Sequence, residues 1–187
     1  IGTAIVAYSL GVAGFIMLGA KLGQMFGSLK VFRFATILTL IGVSIVTFSP
    51  SALWLILGQL ICGLAAAVIV PTLVVLIANN YRGKQQATAL GMLGSVQAAA
   101  SVTAFFMAGV IGDWLGWRYA FGLVIPWAFA VLVMSAKLKP VAPLPGTKID
   151  VVGVLLAATA IILVSFGFNN LNRWGLFTAG PNAPFDI

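Results

Sequence analysis

The chain has 187 residues, of which 61% are hydrophobic and only 7% charged. A soluble domain carries about 25% charged residues, so water is not the solvent for most of this surface. The net charge of +7 does not point to nucleic acid, because the basic residues are scattered between apolar runs and do not line one face.

The acids are Asp113, Asp150 and Asp186, and the chain has no Glu and no His. The single cysteine, Cys62, sits in an apolar run with no base or metal ligands to accompany it. No enzyme activity, metal site, disulfide or cofactor is therefore expected.

A membrane-spanning helix needs about 20 apolar residues. Runs of that kind fall near 1–20, 32–49, 52–79, 86–112, 118–136 and 151–168. They do not alternate in polarity, which argues against a membrane β-barrel. The expected fold class is all-α, a polytopic membrane protein with six transmembrane helices.

The first helix carries Ala7, Gly11 and Gly14 at helical spacing, a small-residue stripe of the kind that lets membrane helices approach closely. The glycine-rich basic stretch from Gly19 to Lys30 reads as a turn. The second helix is apolar and stops at Ser49-Pro50-Ser51. The third carries Gln59, Gly63, Ala66 and Val70 along one stripe. Pro71, near its inner half, removes a backbone donor and favours a kink.

The fourth helix presents Gln97, Ser101, Ala104 and Ala108 on one small, partly polar face, a candidate lining for a cavity, with Thr103 off that stripe. The fifth opens after Trp114 to Tyr119, an interfacial aromatic belt. Asp113 is expected to form a surface ion pair with Arg118. The stretch 138–150, with Pro140, Pro143 and Pro145, reads as a short linker. The sixth helix runs from Val151 into a polar and aromatic rim at Asn169 to Trp174.

Orientation follows from the connections. Lys21, Lys30 and Arg33, then Arg82 and Lys84, then Lys137, Lys139 and Lys148 make up 8 of the 10 basic residues, all in alternate connections. The positive-inside rule puts these in the cytoplasm, in a plasma (inner) membrane, with residue 1 outside. A chain that starts outside with no Met and no signal peptide is expected to be a piece lacking its first helix. The expected layout is a five-helix part of a bundle over 1–137, a cytoplasmic linker over 138–150, and a further span with an outer tail over 151–187.

Several stretches resemble motifs of the major facilitator superfamily. The cytoplasmic loop motif Gly-x-Leu-Gly-Asp-x-x-Gly-Arg-Lys/Arg-Arg is matched at Leu22, Gly23, Gly27 and Lys30, with Gln24 at the acidic position and Ser28 at the first basic one. Leu55 to Ala67 is similar to the fourth-helix motif of that family, with Gln59 in place of its arginine. Gly116-Trp117-Arg118-Tyr119-Ala120-Phe121 with Ile125-Pro126 is similar to the opening of the sixth helix in drug:proton antiporters. The basic Tyr81-Arg82-Gly83-Lys84 fits the loop before the fifth helix.

The resemblance implies that these helices are the second to the seventh of a transporter, and the short linker favours the fourteen-helix drug-export branch. It implies export of lipophilic small molecules by alternating access, with protons as the coupling ion if exchange is coupled. The implied partners are the lipid bilayer, a small lipophilic substrate and the remaining helices of the same transporter.

On this reading Gln59, Gln97, Ser101 and Phe105 are the substrate-cavity candidates. Gly23, Gln24, Gly27, Lys30 and Arg33 form a cytoplasmic gate motif, in which the basic residues can latch onto helix C-termini. Gly63, Gly109 and Pro71 serve helix packing. The antiporter signature Gly-Pro-x-x-Gly-Gly is reduced to Gly109, within Ala104-Phe105-Phe106-Met107-Ala108-Gly109. No charge lies mid-helix, so a coupling carboxylate is expected elsewhere in the protein. The competing reading is a sensor, scaffold or assembly partner that keeps the transporter fold without transport.

Overall fold

The computed structural model describes residues 2–138 and 150–174. The helices are α1 (Gly2–Phe26), α2 (Ser28–Thr47), α3 (Ala52–Asn80), α4 (Lys84–Trp114), α5 (Trp117–Gly122), α6 (Val124–Ser135) and α7 (Val151–Trp174). The described residues are all-α. Five stretches are long and apolar enough to cross a membrane: Val6–Phe26, α2, α3, α4, and Trp117–Ser135, which joins α5 to α6. The apolar part of α7 among the described side chains, Val152–Phe168, is shorter.

Proline explains the break between α5 and α6. Pro126 cannot donate to the carbonyl four residues earlier, on Gly122, and its ring crowds that carbonyl. Helix α5 ends at Gly122, and Leu123 links it to α6 with helical dihedrals on both sides. The span therefore continues in one direction through a local interruption.

The turn between α1 and α2 differs from the expectation. The glycine-rich stretch is helical except for Gly27, a one-residue link with φ of 90°. A left-handed φ of that kind carries almost no steric cost for glycine. The Ser28 hydroxyl donates to the Gly23 carbonyl in the last turn of α1, at 3.4 Å in a buried setting. Glycines in membrane helices serve close packing, and here they do so without ending the helix.

Helix α3 is the centre of the packing. It lies against both α1 and α2, which touch each other far less. Its contact with α1 runs through glycine. A Cβ on Gly63 would collide with the Tyr8 carbonyl, and one on Gly19 would sit 2.5 Å from the Ala67 carbonyl. The contact with α2 is equally close. A Cβ on Gly58 would lie 2.9 Å from the Gly42 carbonyl, and one on Gly42 would lie 2.7 Å from Cys62 Sγ. Beside the start of α2, Leu29, Phe32 and Leu76 form a buried cluster with Ile69 and Leu73 against it. Helix α7 packs on the other side of α1, where Gly14 faces Ile162.

Helix α4 contrasts with this trio. At 31 residues it extends about 46 Å, yet none of its residues is buried. It meets α3 and α5 but makes no close approach to α6.

Candidate functional site

The space between α4 and the α5–α6 span is an apolar cleft of about 570 Å³. Its α4 wall includes Ala100, Thr103, Ala104, Met107, Ala108 and Ile111. These positions recur every three or four residues and so share one helix face. Phe121 and Trp127 stand on the opposite wall. The volume falls within the range of ligand pockets, about 300–1,000 Å³. Chemically the cleft offers dispersion contacts, aromatic faces and little hydrogen bonding. The Thr103 hydroxyl donates to the Ala99 carbonyl of its own helix.

Of the expected cavity stripe, Ala104 and Ala108 line this cleft, whereas Gln97 and Ser101 do not. Both polar residues are exposed, and the Ser101 hydroxyl donates to the Gln97 carbonyl at 2.9 Å. Phe105 is 83% exposed and lies outside the lining. Thr103, a polar candidate set aside for lying off the stripe, lines the cleft, as do Met107, Phe121 and Trp127, which the polar pattern did not single out. The repeat of Ala100, Ala104 and Ala108 is the sequence signal that marks this face.

Gln59 lies on α3 between Gly58, which meets α2, and Leu60, whose carbonyl meets α1 at Gly11. It is half-buried, and among the described residues its amide takes no hydrogen-bond partner. The lining of the α4 cleft does not include Gln59.

The residues of the inner motif have separate positions. A Cβ on Gly23 would lie 2.9 Å from Thr72 Cγ2. Gln24 is half-buried, Gly27 is buried and Lys30 is exposed. Arg33 reaches across to the end of α6, where Nη2 donates to the Ser135 carbonyl at 2.6 Å and Nε to Ser135 Oγ at 3.3 Å. Arg33 thus engages a helix C-terminus, while Lys30 faces solvent or lipid headgroups.

Pro71 lies inside α3, half-buried. Its missing N–H leaves the Ala67 carbonyl without the usual helix donor, and Gly19 of α1 sits directly against that carbonyl. Gly63 sits in the α1–α3 contact, whereas a Cβ on Gly109 would meet nothing within 4 Å.

At the start of α5, Arg118 does not pair with Asp113. Its Nη2 donates to the Ser49 carbonyl at 2.8 Å, and its guanidinium lies 4.3 Å from the Trp117 ring centroid. The Trp117 ring meets Phe121 edge-on at 6.4 Å. With the indole beneath it and a buried carbonyl in front, the arginine gains more there than from an exposed carboxylate, where a surface pair contributes about 0–1 kcal/mol.

Comparison with known proteins agrees with an all-α, multi-pass membrane fold. Residues 1–181 match the family model described as Major Facilitator Superfamily. The chain belongs to the major facilitator superfamily. An uncharacterized MFS-type transporter of Mycobacterium tuberculosis is 28% identical over 179 residues, covering 94% of this chain and 26% of the relative. The methylenomycin A resistance protein of Bacillus subtilis is 26% identical over 160 residues, covering 85% of this chain and 34% of the relative. A quinolone resistance protein of Staphylococcus aureus is 28% identical over 170 residues, covering 88% of this chain and 37% of the relative.

This facilitator-superfamily chain thus spans 26% to 37% of the length of these relatives. A crystal structure of the POT family transporter PepTSo shares its fold, with a TM-score of 0.65 over 94% of this chain and 40% of that one, at 15% identity. The fold is that of a multi-pass membrane transporter family and not of an enzyme. The expected linker lies largely outside the described residues, as does the tail from 175 onwards.

Proposed function

We propose that the protein containing this chain is a secondary active transporter that exports lipophilic small molecules by alternating access. The observation that carries this reading is the superfamily match over residues 1–181, with similar proteins named for methylenomycin A and quinolone resistance. Membership of the fourteen-helix drug-export branch belongs to the same proposal. So do the basic connections on the cytoplasmic side of a plasma (inner) membrane, and the layout of a bundle over 1–137, a linker over 138–150 and a further span.

In this proposal Gln59 contacts substrate. Its free amide, half-buried among glycine contacts, is available to a ligand at little structural cost. Gln97, Ser101 and Phe105 contribute from the exposed side of α4. Gly23, Gln24, Gly27, Lys30 and Arg33 work at the inner gate, and the gate's fixed point is Arg33. If export is coupled to protons, the titrating carboxylate belongs to a part of the protein outside these residues.

The test is flux by the full-length protein in liposomes. A quinolone and a lipophilic cationic dye are expected to move faster than in empty liposomes, and an imposed pH gradient is expected to raise the rate. If no such solute moves under any gradient, the exporter reading fails. The second reading, a non-transporting sensor or scaffold, then gains. It is favoured by Gln24 and Gln59 at positions where the superfamily motifs carry charge.

A further inference from the structure

We infer that α2 and the α5–α6 span form one rigid body, held by two reciprocal arginine caps at opposite ends. The two spans run antiparallel and pack along their lengths. At the inner end, Arg33 near the start of α2 donates to the Ser135 carbonyl at the end of α6, at 2.6 Å. At the outer end, Arg118 near the start of α5 donates to the Ser49 carbonyl just past the end of α2, at 2.8 Å. Each helix therefore supplies a cation at its own beginning to the carbonyl end of the other.

The physical reason lies in the shortage of acids. With only three aspartates in the chain, an arginine near the membrane has few carboxylates to choose from. The partial negative charge at a helix C-terminus is the next best partner. The carbonyls involved are sequestered, since Ser135 is 2% and Ser49 is 3% exposed. A charge-assisted hydrogen bond shielded from water is stronger than an exposed one. The fork of the guanidinium also fixes orientation. At Ser135 it engages carbonyl and hydroxyl together, a geometry lysine cannot reproduce.

The mechanics follow from the separation of the caps. One anchor lets a pair of helices pivot about it. Two anchors at opposite ends of a span of about 28 Å oppose both pivoting and sliding. Between them, α5 passes beside Thr47, where a Cβ added to Gly122 would sit in ordinary contact with Thr47 Cγ2 at 3.5 Å. Helix α4 has no such hold on α6 and meets this body only through α5.

The test is a distance and does not depend on whether the protein transports. In the full-length protein with Cys62→Ala, spin labels are placed at Ile41→Cys on α2 and Val131→Cys on α6, both exposed. Pulsed EPR in liposomes is expected to give one narrow distance. Adding R33Q and R118Q together is expected to turn it into a broad distribution or two distances, and R33K with R118K to fall between. An unchanged distribution in R33Q/R118Q overturns the inference. If that variant does not fold, the parent still decides. A T47C/G122C disulfide is expected to leave the labelled distance and its width unchanged. Two distances that the disulfide collapses to one would show that the helices move apart natively, and would overturn it.

Discussion

Arg33 closes the C-terminal end of α6: its Nη2 donates to the Ser135 carbonyl at 2.6 Å, across 102 residues of sequence. The carbonyl, and not the serine hydroxyl, is the main partner, because the second bond to Ser135 Oγ is longer at 3.3 Å. Ser135→Ala removes only that longer bond and the hydroxyl's own bond to Leu132. It is expected to destabilise the full-length protein by under about 1 kcal/mol, whereas Arg33→Ala, which removes a charge-assisted bond, costs about 1.5–3 kcal/mol. Reversible unfolding in mixed micelles measures both. Equal costs would place the anchor at the hydroxyl.

Gly63 and Gly109 give opposite expectations. A Cβ on Gly63 collides with the Tyr8 backbone, which has no flexible end to move aside. Overpacking of that kind costs about 1–3 kcal/mol, so Gly63→Ala lowers the unfolding midpoint and Gly63→Leu abolishes folded protein. A Cβ on Gly109 meets nothing within 4 Å, and Gly109→Ala gains up to about 1 kcal/mol in helix propensity. The two unfolding midpoints, compared in the full-length protein, decide. A cost at Gly109 matching that at Gly63 would mean that another helix presses on α4.

Much of this architecture is legible in the sequence, and the illegible parts have physical causes. The spans stand out because hydrocarbon demands long apolar runs, and α3, read as 52–79, is observed as Ala52–Asn80. The inner stretch from Gly19 to Phe26 was harder. Glycine marks turns in water, but here Gly19 and Gly23 stay helical and let α1 approach α3. The face of α4 that meets the cleft is legible only in part, through Ala104 and Ala108. Gln97 and Ser101 drew attention by polarity, while the lining follows Ala100, Ala104 and Ala108. The partners of Arg33 and Arg118 lie 102 and 69 residues away, and no local pattern encodes a carbonyl acceptor at that range.

Gly27 bears a conformational constraint that its neighbours do not. It is the one residue between α1 and α2, buried, with φ of 90°. At φ of 90° and ψ of 124° a side chain occupies a sparsely populated backbone region that costs about 1–3 kcal/mol, so Gly27→Ala lowers the unfolding midpoint. Ser28→Ala loses only a 3.4 Å bond to the Gly23 carbonyl and costs less. A thermal-stability comparison of the two variants checks the order. A larger loss for Ser28→Ala would assign the turn to the hydroxyl cap.

Pro71 and Gly19 meet at one carbonyl. The proline deprives Ala67 of its helix donor, and α1 packs tightly against α3 there. Pro71→Ala restores that donor and removes a residue that disfavours helix by about 3 kcal/mol. It is expected to raise the unfolding midpoint of the full-length protein and to slow flux, if alternating access uses the give at this point. A midpoint that falls would show that the free carbonyl is needed for the α1 contact.

Gln59 separates a binding role from a packing role, because its two expected effects differ. The amide is half-buried with no hydrogen-bond partner among the described residues. A glutamine that only bonded between helices would contribute about 0.6 kcal/mol to stability, and removing it would lower the unfolding midpoint. Gln59→Ala is therefore expected to leave stability unchanged while raising the KM for a transported quinolone or dye. Ser101→Ala is the comparison on α4, where the hydroxyl is already bonded to its own helix at Gln97, so its effect on KM is smaller. If Gln59→Ala lowers stability and leaves KM alone, Gln59 is a packing residue and the substrate path lies elsewhere in the bundle.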